Sequence, residues 1–169
     1  KPVFPLGTIT IQETKPPKGY VKDSTVYVAN TVRKTSTSVV TSNLPNKETK
    51  NSSEDIIRGD LKFYKIDAAT RKSMSGIPFK ITAQSTGESH VIVSDKNGLV
   101  STAASDVPHT QNTNNGSSAE DGIWFGSSKP DNSKGALYYD TYTVEEQPCK
   151  ANYGKDLVSF EVTIEKNNQ

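Results

Sequence analysis

Two ionisable side chains lie where a β-strand reading expects apolar ones. Successive side chains of a strand point to opposite faces, so Lys65 shares a face with Leu61 and Phe63. By the same alternation, Glu146 shares a face with Val144 in the later run TYTVEEQ. A buried charge without a partner costs several kcal/mol, roughly. The sequence therefore predicts that Lys65 and Glu146 are partners inside the protein.

The two runs differ in how well they define their buried face. In LKFYKID both faces mix apolar and polar residues, so alternation alone does not say which face is inside. In TYTVEEQ one face is mostly apolar, and the other carries only polar residues: Thr141, Thr143 and Glu145. The second run thus places Glu146 inside, and the need for a counter-charge then favours the face that carries Lys65.

Residues 56–169 carry the pattern of a β-domain. Alternating runs separated by turn residues predict strands over 60–67, 77–84, 89–94, 99–102, 136–146 and 156–166. A long polar excursion over 103–135 interrupts them and holds Trp124 and Phe125. We expect these two aromatic side chains to pack the excursion onto the domain rather than to bind a ligand. The expected fold is an all-β, immunoglobulin-like sandwich.

The segment before this domain reads as part of another one. Residues 1–33 predict two strands joined by a proline-rich turn, and residues 34–55 predict a flexible linker because they contain few apolar residues. The spacing of Glu13 and Tyr20 repeats in Glu146 and Tyr153, seven residues apart in each case. A unit that recurs at domain scale indicates an array of modules.

Composition excludes several classes of function. The 20 basic and 19 acidic residues give a net charge of +1, which offers no electrostatic basis for binding nucleic acid or an anionic membrane. The single cysteine, Cys149, allows neither an internal disulfide nor a zinc cluster, and it is expected to be a packed thiol. With 32% hydrophobic residues the core is lean, as in a sandwich with solvated outer faces.

Other motifs are interpreted as incidental. The tripeptide Arg58–Asp60 spells an integrin-recognition sequence, but it leads directly into a predicted strand. Neither His90 nor His109 has a nucleophile and base at a spacing typical of catalysis. The acidic and amide residues of the excursion lack the order of a calcium-binding loop. We therefore expect no enzyme, no cofactor and no metal site.

An ordered set of motifs resembles the Cna-B domains, also called SpaA-type pilin domains, of Gram-positive surface proteins. The opening strand LKFYKID is followed by SMSGIPFKI and by a DxNG hairpin at Asp95–Gly98. The family's closing box, G-T-Y-x-φ-x-E-T-x-x-P-x-G-Y, is matched almost throughout by Ile9–Tyr20. YTVEEQPCKANYG matches the box loosely, because its proline is shifted and the glycine before Tyr153 is missing.

The resemblance implies a spontaneous isopeptide bond inside the domain. In the family a lysine of the first strand joins an asparagine or aspartate of the last strand, and a buried glutamate assists. Lys65 matches the lysine and Glu146 the glutamate. Desolvation favours the neutral amine and the protonated acid, which are the forms that such a reaction needs.

The residue that accepts the amine is less well defined. Asn168 continues the alternation of the last predicted strand and is the acceptor predicted here; the alternative is an acceptor beyond Gln169, on a last strand that the domain is expected to lack. In the leading segment, Glu13 and Asn30 are the expected remnant of an equivalent site, whose lysine would precede Lys1.

The resemblance implies a mechanical function outside the cell. The expected role is a stalk or spacer module of a wall-attached adhesin or pilus, with neighbouring modules of the same protein as partners. The alternative is an adhesin module that binds host matrix or glycan through the 103–135 excursion. An unreacted salt bridge between Lys65 and Glu146 also remains open.

Overall fold

The structure is a computed structural model that describes residues 7–35, 38–42, 54–111 and 118–168. The side chains of residues 30–35 and 38–42 lie outside that description. The chain divides into two compact units, Lys1–Asp55 and Ile56–Gln169. Within the described residues no helix is long and apolar enough to cross a bilayer.

The first unit contains one antiparallel sheet of three strands in the order β1–β2–β3. These strands are β1 (Gly7–Gln12), β2 (Val26–Thr35) and β3 (Ser38–Ser42). Since β2 extends to Thr35 and pairs with β3, residues 34–35 and 38–42 belong to the sheet, which corrects the predicted linker there. The ladder satisfies backbone hydrogen bonds even where apolar residues are sparse. Most of the remaining predicted linker, 43–53, lies outside the described residues.

The second unit is built on an antiparallel sheet of four strands in the order β11–β10–β6–β7. Its strands are β6 (Pro78–Ala83), β7 (Ser89–Val93), β10 (Asp140–Glu146) and β11 (Ser159–Ile164). One face of β6 is buried at Phe79, Ile81 and Ala83, as alternation predicts for a sheet with one covered face.

Two short strand pairs contribute further backbone pairing around the opening segment. Here β4 (Arg58–Gly59) pairs with β9 (Leu137–Tyr138), and β5 (Lys62–Tyr64) pairs with β8 (Leu99–Ser101). The opening strand is interrupted at Asp60 and Leu61, where the Thr102 side chain adds contacts to the backbone bond from the Thr102 N–H to the Leu61 carbonyl. Thr102 Oγ1 donates to Asp60 Oδ1 and accepts from the Leu61 backbone N–H. Each predicted strand of residues 56–169 thus has a counterpart in the structure, and the all-β sandwich prediction is confirmed.

The 103–135 excursion contributes to the core. Ile123, Trp124 and Phe125 are almost fully buried, so the prediction that the aromatic pair packs onto the sandwich is confirmed. The Phe125 ring packs edge-on against both His90 and Tyr142. This segment therefore takes part in the hydrophobic core that encloses the inward faces of the strands.

Candidate functional site

The opening strand fixes the backbone on both sides of Lys65. The Lys65 N–H donates to the Gly98 carbonyl, and the Lys65 carbonyl accepts from the Met74 N–H at 3.0 Å. Gly98 has φ +78°, and a Cβ atom built there would lie 2.5 Å from the Lys65 carbonyl oxygen. The DxNG turn thus needs glycine both for its left-handed conformation and for its close approach to Lys65.

This close approach yields a prediction with a matched control. Gly98→Ala is expected to lower the free energy of unfolding by about 2–3 kcal/mol, because it adds a backbone clash to left-handed strain. Gly87 has nearly the same φ, +73°, but a Cβ there would meet nothing within 4 Å. Gly87→Ala should therefore cost about 1 kcal/mol from strain alone. If urea denaturation gave the same loss of unfolding free energy for both variants, the close approach of Gly98 to the Lys65 carbonyl would not contribute to stability.

Glu146 is the last residue of β10 and points into the sandwich with Tyr142 and Val144. The strand pairing sets it opposite Phe79, whose ring is fully buried. Phe63 packs edge-on against Phe79, with ring centroids 4.9 Å apart. The carboxylate therefore ends an apolar face, as the sequence predicts.

Lys65 and Glu146 form a buried ion pair. Lys65 Nζ lies 2.9 Å from Glu146 Oε2, and the two side chains are 12% and 0% exposed. Glu146 also accepts a hydrogen bond from the Val158 N–H at Oε2 and from Asn152 Nδ2 at Oε1. The structure thus settles the parity of LKFYKID: Leu61 and Lys65 face inward, and Lys62, Tyr64 and Ile66 face solvent.

The environment of Glu146 favours its ionised form. Burial raises its pKa, but the hydrogen bonds from Lys65, the Val158 N–H and Asn152 outweigh burial and leave the pKa lowered. This direction is opposite to the sequence-based expectation of a protonated glutamate. Burial alone favours the protonated acid, but three donors converge on this carboxylate: Lys65 from the opening strand, and Asn152 and the Val158 N–H from the β10–β11 connection.

Asn168 does not lie with this pair. The Asn168 N–H donates to the Arg58 carbonyl at 2.8 Å, at the far end of the opening strand. Lys65 is seven residues further along that extended segment, about 20 Å away. The prediction of Asn168 as the acceptor is therefore wrong. Strand alternation stops applying after β11 ends at Ile164, and Asn168 adopts a left-handed φ of 58°.

The two candidate residues of the first unit are placed differently. Glu13 Oε2 accepts a hydrogen bond from the Asp23 N–H at 2.6 Å. The pKa of Glu54 is raised by desolvation and by a hydrogen bond with Glu13. Asn30 pairs with Thr8 in the β1–β2 ladder, and its side chain is outside the described residues. A remnant reactive site in this unit stays a prediction.

Asn152 is a residue of the site that the sequence reasoning missed. It lies in a short 3-10 helix, Lys150–Asn152, between β10 and β11, and it is 2% exposed. Its carboxamide contacts Glu146 directly. An asparagine in a loop carries no periodic signal. Asn152 stands directly before Tyr153, where the closing box has glycine, and this departure from the box is the signal that could have indicated it.

The Arg58–Asp60 tripeptide is part of the packing of the excursion. Arg58 is 4% exposed; its Nη2 donates to the Phe125 carbonyl at 2.7 Å, and its Nη1 donates to the carbonyls of Gly135 and Ala136. Its guanidinium lies 3.8 Å from the centre of the Trp124 ring. Desolvation by burial lowers the pKa of Arg58. A side chain held in this way is not presented to a receptor.

The two histidines have structural contacts. His90 Nε2 lies 2.9 Å from Glu88 Oε1, whereas the His109 ring lies between the carbonyl oxygens of Thr102 and Asp131. Cys149 is half-buried, with its thiol 3.9 Å from the Gly76 carbonyl. Among the described residues, no three His, Cys, Asp or Glu side chains are grouped so that they could hold a metal ion.

Comparison with known proteins gives a likeness of fold. No family model matches the chain, and no curated protein matches it. Among solved structures, the Bacillus anthracis TIE protein matches 98% of this chain and 24% of its own length, at 17% identity and a TM-score of 0.56.

Two pilins match with lower TM-scores. A streptococcal ancillary pilin matches 98% of this chain and 43% of its own at 20% identity, with a TM-score of 0.36. BcpA, the major pilin subunit of Bacillus cereus, matches 94% of this chain and 41% of its own length at 16% identity, with a TM-score of 0.41. The chain thus spans less than half the length of each of these three proteins. At 17% identity the likeness to the TIE protein is one of fold, and it agrees with the all-β fold that the resemblance implied.

Proposed function

We propose that this chain is a structural stalk or spacer module of a Gram-positive cell-surface protein or pilus, tied internally by an isopeptide bond from Lys65. The observation that carries the proposal is the buried Lys65–Glu146 pair. Its charged atoms lie 2.9 Å apart, with Lys65 directly after β5 and Glu146 at the last position of β10. A cross-link from that point would tie the opening strand to another strand and resist peeling of the sandwich under force.

The internal repeat supports a modular array. Gln12 pairs with Val26 in the first unit, and Glu145 pairs with Ser159 in the second; each partner is fourteen residues further on. A glutamate follows directly in both units: Glu13 comes after Gln12, and Glu146 comes after Glu145. Two units with the same hairpin register are what tandem modules of one surface protein would show.

The proposed reaction starts from the ion pair. Lys65 transfers a proton through its hydrogen bond to Glu146, which gives a neutral amine and a neutral acid. The amine nitrogen attacks the side-chain carbonyl carbon of an asparagine, the bond from that carbon to its amide nitrogen breaks, and ammonia leaves. Glu146 gives its proton to the departing nitrogen and takes up the second proton of the amine, so that it ends as a neutral acid. Holding the partners together contributes roughly 7–11 kcal/mol to lowering the barrier. The acceptor is a side chain other than Asn168.

Intact-protein mass spectrometry tests the proposal. We expect a mass about 17 Da below the sequence mass, because one ammonia leaves, and a branched peptide that contains Lys65 after proteolysis. An acceptor aspartate would instead release water, about 18 Da. The variants Lys65→Arg and Glu146→Gln should both retain the full sequence mass. A wild-type protein whose mass equals the sequence mass would show that Lys65 and Glu146 form only a salt bridge, and the proposed isopeptide bond would be contradicted.

No observation favours the adhesin alternative over this function. The largest apolar side chains of the described part of the excursion, Ile123, Trp124 and Phe125, are buried. They stabilise the sandwich and are not exposed for a contact with host matrix or glycan.

A further inference from the structure

We propose that Asn152 is a positioning residue for the Lys65–Glu146 pair: it occupies one oxygen of the Glu146 carboxylate, so that proton exchange with Lys65 is confined to the other. The inference rests on the proposed cross-linking reaction but concerns a different residue. Asn152 belongs to neither of the strands that carry the pair, and it acts through Glu146.

The contacts divide the carboxylate into two distinct oxygens. Asn152 Nδ2 donates to Glu146 Oε1 at 3.0 Å. Lys65 Nζ and the Val158 N–H both reach Oε2, at 2.9 Å and 3.1 Å. Because Asn152 holds Oε1, the carboxylate is turned so that Oε2 faces Lys65. The proton given up by Lys65 therefore passes to Oε2, the oxygen that its ammonium already contacts.

The orientation of the Asn152 amide is determined by its other contacts. Its Oδ1 accepts a hydrogen bond from the Cys149 N–H at 2.7 Å, and its Nδ2 also donates to the Gln147 carbonyl at 2.9 Å. Turning the amide over would set Oδ1 against two acceptors and Nδ2 against a donor. The donor must therefore face Glu146, and burial of the side chain keeps it there.

A neutral donor suits this position. Asn152 adds a hydrogen bond that favours the ionised carboxylate, whereas a second cation there would compete with Lys65. Among the described residues, Lys65 is the charged group that contacts Glu146. Asn152 thus sets both which oxygen of the carboxylate faces Lys65 and how readily Glu146 takes up a proton.

Asn152→Asp tests the inference. Aspartate keeps an oxygen for the Cys149 N–H but replaces the donor to Glu146 with an acceptor that can carry a like charge. We expect the titration midpoint of the Glu146 carboxyl, followed by ¹³C NMR, to rise by about one pH unit or more. The pH at which ammonia loss is fastest after refolding should rise with it. Asn152→Ala, which removes the donor without adding charge, should shift both in the same direction by less.

Different outcomes separate the possible failures. If both variants lose thermal stability while the Glu146 titration and the pH profile stay at wild-type positions, Asn152 is only a loop cap and the inference is wrong. A branched peptide that joins Lys65 to Asn152 would also overturn it, because Asn152 would then be the acceptor. If wild-type protein loses no ammonia, the proposed reaction fails, and the Glu146 titration alone still decides whether Asn152 positions the carboxylate.

Discussion

Lys65→Met is expected to lower the free energy of unfolding by at least about 3–5 kcal/mol, the usual effect of removing one partner of a buried ion pair. Glu146 would remain in the apolar interior with two neutral donors and no counter-charge. The variant also cannot form the cross-link. A cross-linked wild type has an amide in place of the Lys65 ammonium, so the variant then loses the bond and not the ion pair, roughly 4–5 kcal/mol for a bond that closes a loop of around 100 residues. Urea denaturation measures the loss.

A double variant separates the two contributions. Lys65→Met combined with Glu146→Gln removes both charges and keeps an acceptor for Asn152. If the pair were only a salt bridge, the double variant should recover most of the loss, because neutral replacement of a buried pair is often close to neutral in energy. The covalent account predicts that the double variant stays several kcal/mol below wild type.

An exposed lysine on the same strand provides the control. The side chain of Lys62 is 52% exposed and pairs with Asp106 at the surface. Lys62→Met should change the urea midpoint only slightly, because exposed ion pairs contribute little. A loss as large as that of Lys65→Met would mean that removing any lysine from this strand destabilises it, and the special role of Lys65 would be contradicted.

Arg58→Lys is expected to lower the free energy of unfolding by about 2–4 kcal/mol although it keeps the charge. The guanidinium donates to three backbone carbonyls and lies over Trp124. A lysine cannot reach all three carbonyls from one position, so buried acceptors lose their donors. The fluorescence of the single tryptophan, Trp124, should shift to longer wavelength as the excursion loosens.

The matched control for this change is Arg71→Lys. Arg71 is exposed, so the same substitution there should leave both the urea midpoint and the tryptophan spectrum unchanged. Equal effects at the two positions, or an unshifted spectrum in Arg58→Lys, would contradict the role of Arg58 in holding the excursion.

Alternation along the strands predicted that Lys65 and Glu146 face inward, because burial imposes a period of two on a sheet with one covered face. That rule placed Glu146 with Val144 and, through the need for a counter-charge, paired it with Lys65. The same rule failed at Asn168, where the chain has left β11 and residue parity no longer determines direction. Likewise, hydrophobic content gave no sign of β3, which is held by backbone pairing with β2.

The contacts made by loops could not be predicted from the sequence. Asn152 reaches Glu146 from a 3-10 turn, and Arg58 reaches carbonyls more than sixty residues away. Such contacts depend on how separate segments meet in three dimensions, and they leave no periodic pattern. The direction of the Glu146 pKa shift was missed for the same reason, since two of its three donors come from the β10–β11 connection.

A high-resolution electron-density map around Lys65 tests the central claim most directly. The covalent account predicts continuous density from Nζ to a side-chain carbonyl carbon, at about 1.33 Å, the length of an amide bond. A separate Lys65 ammonium that contacts Glu146 Oε2 at 2.9 Å, with no density to any carbonyl carbon, would contradict it.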